Sequence, residues 1–271
     1  MIRHPFRSGP TMQLRLLLLA AASPLCLTAT GAYAETAIST AVTTPLATAT
    51  AASGSADDLR VTASGSVKPT GGTAVTLNSD NKVSVEGAIA IQDANNAVGI
   101  AVQGGRTGEV KLTGSIVLDE SYVQKDTDND GDLDGPFATG SGRFGIRVTG
   151  AQAFHGSILS TGTITIEGND SAAISLEAPV DGSVKSGGAV SVIGDRSFGL
   201  HAVRSVGGDV SVTAGIAVQG KDSVAVALDD TVGGRLLIDA AVSATGLRYT
   251  NRPADAAVAK LDADDLLTGG P

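Results

Sequence analysis

The densest cluster of chemically capable side chains runs Asp126-Thr127-Asp128-Asn129-Asp130-Gly131-Asp132-Leu133-Asp134-Gly135. Alternating aspartates around a glycine put carboxylates on one side of a tight loop, where a hard cation such as Ca²⁺ can gather six or more oxygens. Asp126, Asp128, Asp130 and Asp134 offer carboxylates there and Asp132 its backbone carbonyl. The same string also fits a solvated acidic loop. Five aspartates without a cation repel one another, which favours the metal. Three further positions carry a hydroxyl beside a charge, in the pairs Asp170-Ser171, Arg196-Ser197 and Asp222-Ser223. A nucleophile is needed once, and these serines recur at a fixed spacing, so they read as turn chemistry. His155 and His201 have no cysteine or second histidine at ligand spacing and read as surface residues on turns. No glycine motif opens a helix as nucleotide phosphates require. Arg143, Arg147, Arg204, Arg248 and Arg252 are scattered cations, expected to partner neighbouring acids.

Set against a calcium-binding EF-hand, Asp126, Asp128 and Asp130 fall on the first three ligand positions and Gly131 on the sharp turn. The match then fails, because Phe137 stands where the bidentate glutamate belongs and no flanking helix is legible. The loop resembles the looser D-x-D-x-D-G loops of extracellular calcium proteins, with affinity in the high micromolar to millimolar range.

The scaffold that must hold this loop is repetitive, with a period of 26 residues. Apolar residues fall in register at Phe154, Val180, Val206 and Val232; at Ile158, Val184, Val210 and Leu236; and at Ile164, Val190, Ile216 and Val242. Two more columns are Ile166, Val192, Val218, Ala244 and Val148, Ile174, Leu200, Val226. With 42% hydrophobic residues, roughly one four-deep column is expected by chance among the phases, and five are present. Glycine repeats at Gly156, Gly182, Gly208, Gly234 and at Gly168, Gly194, Gly220, Gly246. Each unit holds three short stretches of period-2 apolar residues, hence three short strands, and stacking such units pairs every backbone group with the unit above or below. The expected fold is all-β, a right-handed parallel β-helix of about six rungs. The glycine columns are expected at corners. An upstream rung is placed over Ala74, Val75 and Leu77, with Ala74 set above Ile100, and the acidic loop is an insertion at 119–142.

The β-helix is expected over 59–250, and 251–271 as the start of a further, truncated repeat. Residues 35–58, nearly all Thr, Ala and Ser, are expected to be a mobile linker. Residues 1–34 have the form of a secretory signal peptide: Arg3, Arg7 and Arg15, the apolar run Leu16 to Ala22, then Ala32-Tyr33-Ala34 at signal-peptidase spacing. Cleavage would remove three arginines and no acid, leaving 16 basic against 28 acidic residues and a net charge of −12. It would also remove Cys26, Met1 and Met12, so the mature chain has no cysteine or methionine. The acidic balance excludes nucleic acid as an expected partner.

The strings DTDNDGDLDGPFATGSGRFGIRVTG (126–150), GTITIEGNDSAAISL (162–176) and ATGLRYTNRP (244–253), with AKLDADDLLTGGP after it, resemble the passenger region of alphaproteobacterial autotransporters, notably those of sphingomonads. The resemblance spans nearly the whole chain. It implies a Gram-negative host, export to the periplasm by the Sec machinery, and display of a β-helical passenger at the cell surface by a C-terminal outer-membrane β-barrel. No barrel strands occur before Pro271, so the chain is expected to be the N-terminal part of a longer product. The resemblance carries no catalytic residue. The function so implied is a structural or adhesive passenger that contacts an unknown surface or cell ligand, without enzyme activity. The rival is a calcium-assisted polysaccharide lyase or hydrolase on a β-helix, which needs carboxylates and a basic residue spread over neighbouring rungs.

Overall fold

A computed structural model describes Met1 and residues 35–127, 133–246 and 254–258. Apart from the short helix Asp255–Val258 and one 3₁₀ turn at Thr48–Thr50, its regular elements are strands. They coil into three parallel sheets. The first contains Thr36–Ile38, Leu59–Val61, Lys82–Val85, Thr107–Leu112, His155–Ser160, Val184–Ser186, Val210–Val212 and Leu236–Ile238, each paired with the next. The second runs likewise from Ala41–Val42 to Val242–Thr245, and the third from Leu46–Ala47 to Val224–Leu228. The chain visits the three sheets in rotation, so each circuit is one rung of a parallel β-solenoid.

Period-2 patterning explains the interior. Ile164 and Ile166 stack on Val190 and Val192, which stack on Ile216 and Val218. All six are at most 3% exposed, while Ser191 and Ala217 between them face out. The isolated bridges Phe154 to Val180, Val180 to Val206 and Val206 to Val232 continue the repeat between the first and third sheets. Aliphatic side chains of similar size one rung apart fill a thin core with few aromatics, which is how a chain with 3% aromatic residues excludes water. On the final described rung the first-sheet columns of Val210 and Val212 end in Leu236 and Ile238, each 48% exposed.

The glycines divide the corner work with other residues. A side chain at Gly182 would strike the carbonyl of Gly156 one rung back, so that column serves close backbone approach. The left-handed corner before the third sheet is instead taken by Asn96, Gly142, Asp170, Arg196 and Asp222, with φ between 49° and 72°. Asn and Asp tolerate this conformation best among residues with a Cβ.

The structure departs from expectation in three places. First, the described residues form about eight rungs, not six, and one of the additional rungs is made by residues 36–57, which pair into the sheets instead of forming a mobile tether. Thr36–Ile38 pairs with Leu59–Val61, and Thr48, fully buried, accepts hydrogen bonds through Oγ1 from the Asn78 and Ser79 amides at 3.1 and 3.2 Å. A terminal rung needs little interior bulk, and ladder hydrogen bonds do not depend on side-chain identity. Second, the upstream register is one residue off: Val75, not Ala74, lies on Ile100. Third, Ile146, not Val148, lies on Ile174 in the column that continues to Leu200, as the ten positions from Ile146 to Gly156, two more than the eight from Ile174 to Gly182, imply. The insertion appears as a gap of 46 positions between the paired Ile100 and Ile146, against 26 between Ile174 and Leu200; two further residues enter in the next turn, where Ile146 and Ile174 are 28 apart.

Candidate functional site

The insertion leaves the solenoid after strand Ser115–Asp119 and returns at strand Phe144–Thr149. Its two ends meet at one buried ion pair. Arg143 Nη1 lies 3.1 Å from Glu120 Oε2, with side-chain exposures of 2% and 4%. Arg143 is also tied to both flanking rungs: Nε donates to Ala94 O at 2.9 Å, and Nη1 donates to Glu167 O. Glu120 in turn accepts from Thr139 N at 2.7 Å, Thr139 Oγ1 at 3.1 Å and Gly140 N at 2.7 Å. Burial works against the Glu120 charge, but the two backbone amides and the guanidinium outweigh it and hold the carboxyl below its ordinary value. Next door, burial pushes Asp119 up, since it faces Asp93 and lacks so close a cation. Glu120 and Arg143 thus join the two ends of the loop, beside bonds from Ser121 N to Asp93, Ser141 N to Asn95 and Asn169 Nδ2 to Ala138 O.

Beyond this clamp the loop is a narrow stem. Lys125 and Asp134 form an antiparallel bridge, Gln124 Nε2 donates to Pro136 O at 2.9 Å, and Phe137 and Ala138 tuck into the protein. Gly135 sits at φ 94°, and a side chain on it would meet the Tyr122 hydroxyl. Tyr122, Val123, Lys125, Thr127 and Asp134 line a cavity of about 710 Å³. Val123 and Leu133 are 72% and 49% exposed. The surface is therefore mixed, with apolar and cationic groups beside the aspartates.

Of the candidate calcium ligands, Asp126 and Asp134 are placed, and Asp128, Asp130 and Asp132 lie outside the described residues. Asp134 Oδ2 accepts from both the amide and the hydroxyl of Thr127. Among the described residues no group of three or more His, Cys, Asp or Glu is arranged to hold a metal.

The recurring serines form a ladder inside a corner. Ser223 Oγ accepts from Ser197 N at 3.0 Å, Ser197 Oγ from Ser171 N at 3.1 Å, and Ser171 Oγ from Arg143 N at 2.9 Å. Each hydroxyl donates to a backbone carbonyl, namely Asn169, Gly168 and Gly194 for Ser171, Ser197 and Ser223. All three are nearly fully buried. A hydroxyl that already accepts an amide and donates to a carbonyl has a structural task. The histidines pair with acids on the next rung, His155 with Asp181 at 2.5 Å and His201 with Asp229 at 2.8 Å.

The sequence singled out the loop and the serine column. Arg143 stood there only among scattered cations, and Glu120 not at all. Their pairing spans 23 positions across an insertion, which no periodicity reveals, although Arg143 does occupy the serine's place in the corner after left-handed Gly142. Among the described residues no helix is long and apolar enough to cross a membrane. Neither a protein-family profile, nor a curated protein, nor a solved structure matches this chain.

Proposed function

We propose that this chain is a passenger segment of an autotransporter, carried through the periplasm and displayed at the outer surface, whose solenoid is a stiff spacer and whose clamped loop makes contact with a surface or cell. One observation carries the reading: a parallel solenoid spends a buried ion pair on holding a single 20-residue excess of chain, the difference between the 46 positions from Ile100 to its pair Ile146 and the 26 from Ile174 to Leu200, against its side. Uniform rungs can thread as extended chain and fold by stacking on the rung before. A mature chain without cysteine forms no disulfide to obstruct threading. The coil is taken as right-handed because parallel crossovers within one sheet almost always are. The partners in this reading are the Sec machinery, a C-terminal outer-membrane barrel and an unidentified surface ligand.

The cysteine-free mature chain supplies its own test. Val123→Cys puts a unique thiol at the exposed loop, and the native gene carrying it is expressed in a Gram-negative host. A membrane-impermeant maleimide is expected to label intact cells. Labelling only after the outer membrane is broken would overturn surface display. In the same reading Asp126, Asp128, Asp130, Asp132 and Asp134 hold Ca²⁺ weakly, stiffening the loop. At about tenfold excess of Ca²⁺ over Kd the loop gains about 1.4 kcal/mol, and calorimetry with no calcium heat would remove the ion from the proposal.

A further inference from the structure

The outer face of the third sheet carries a repeated pair with its middle member missing. In strand Phe144–Thr149, Arg147 lies 4.0 Å over the Phe144 ring. In strand Phe198–Ala202, the His201 ring stacks on Phe198 with centroids 4.0 Å apart and planes at 18°. Each phenyl group is therefore covered by a nitrogenous side chain three residues on. In the intervening strand the same two register positions hold Ala172 and Ser175. Two rungs, roughly 9.6 Å of backbone, separate the aromatic stacks, and where the middle pair would stand there is a slot of about 320 Å³, the small end of the range for ligand sites. Of the phenylalanines in the solenoid, Phe137 and Phe154 are buried in its body, so this slot gathers the two that reach its surface.

The rim fixes the chemistry of the occupant. Arg147 donates to Glu177 through Nε and Nη2 at 2.7 and 3.0 Å, and Arg196 to Asp170 at 2.7 and 2.8 Å. His201 is matched by Asp229. Each arginine thus has its own acid, so the rim holds no unpaired guanidinium to draw in an anion. It does present spare guanidinium N–H groups and carboxylate lone pairs side by side. A hydroxyl, which donates and accepts, suits such a rim. An apolar ring face suits the phenyl groups beneath. A pyranose combines both.

We propose that the slot over Ala172 and Ser175, between Phe144 and Phe198, binds a neutral hexopyranose unit of a surface glycan. This deepens the contact reading above and rests on it only for purpose, since binding is measured on the purified protein and display on cells. The probes are the methyl glycosides of glucose, galactose and mannose at about 10 mM, a concentration suited to millimolar affinity, followed by saturation-transfer NMR. At least one is expected to receive saturation at its ring C–H protons. Ala172→Phe, which completes the aromatic column and fills the slot, is expected to abolish the signal while melting at or above the wild-type temperature. Phe198→Ala is expected to weaken binding at least about tenfold, as loss of a stacking partner would. No saturation of any of the three sugars, or equal binding by folded Ala172→Phe, would overturn the proposal.

Discussion

Between His155 and Arg235 three series of polar side chains tie a corner to its counterpart 26 residues on, whereas the loop at 119–142 is held by contacts that occur once. Three ladders run through the regular part. One is the serine series. A second passes from Asn169 Oδ1 to the Asp195 amide and from Asp195 Oδ1 to the Lys221 amide, both at 2.8 Å. A third joins Ser157 to the Ser183 amide, Ser183 to the Asp209 amide and Asp209 to the Arg235 amide, at 3.1, 3.1 and 2.7 Å. Each such bond contributes about 1 kcal/mol net, and neighbouring rungs supply copies. Glu120 and Arg143 have no copy. A repeat spreads its stability over many equivalent contacts, and an insertion concentrates its orientation in one.

The comparison breaks first in the core. Val192 is 1% exposed and stacked between Ile166 and Val218. Val192→Asp would bury a carboxylate among aliphatic side chains with no donor, at a cost of roughly 5 kcal/mol. Denaturant unfolding is expected to show the whole solenoid losing cooperativity. A cost under about 1 kcal/mol would mean that rungs tolerate a missing core layer.

Arg143→Met comes next, and its effect should stay local. It leaves Glu120 buried without its cation, which costs roughly 3 kcal/mol, while the ladders of later rungs are untouched. Protease is therefore expected to cut between Ser121 and Gly142 in this variant before the solenoid melts. The amides of Thr139 and Gly140, which donate to Glu120, report its titration by NMR. Because its folded value lies below the ordinary 4.5, the carboxylate's contribution is complete above that pH and is lost as pH falls through the folded value. In Arg143→Met the transition should move to higher pH. Identical titrations in both proteins would mean that backbone amides alone hold the charge.

The residues show why much of this was legible and some was not. Val184, Val190 and Val210 announced their columns because every rung after Phe154 keeps the same length. Upstream, Gly65, Gly87, Gly114, Gly162 and Gly188 form a further column, and a side chain on any of the last four would strike the carbonyl of the glycine one rung back. Its spacings are uneven, so a search at fixed period passes over it. The first rung escaped for a different reason: Ile38, Val42 and Leu46 are its only bulky inward residues, and Thr/Ala/Ser texture conceals strands that are held through backbone bonds. The loop's aspartates could be read from spacing. The clamp under them could not, since Glu120 and Arg143 meet only because rungs before and after the insertion are stacked.

The smallest effect tests whether the ladders depend on hydrogen bonding or on charge. Asp195 works through one acceptor, Oδ1, which receives the Lys221 amide at 2.8 Å. One rung earlier the same task is performed by the amide oxygen of Asn169 at the same distance. The ladder therefore already contains both chemistries, and Asp195→Asn should alter stability by less than about 0.5 kcal/mol, the range of ordinary surface changes. Asp195→Ala removes the acceptor and leaves the Lys221 amide unpaired, so about 1 kcal/mol is expected. Thermal unfolding of the two variants beside the wild type separates the cases. If Asp195→Asn costs as much as Asp195→Ala, attraction to Arg196, to which the Asp195 charge contributes, matters more than the hydrogen bond. The regular rungs would then depend on particular charges, as the clamped loop does.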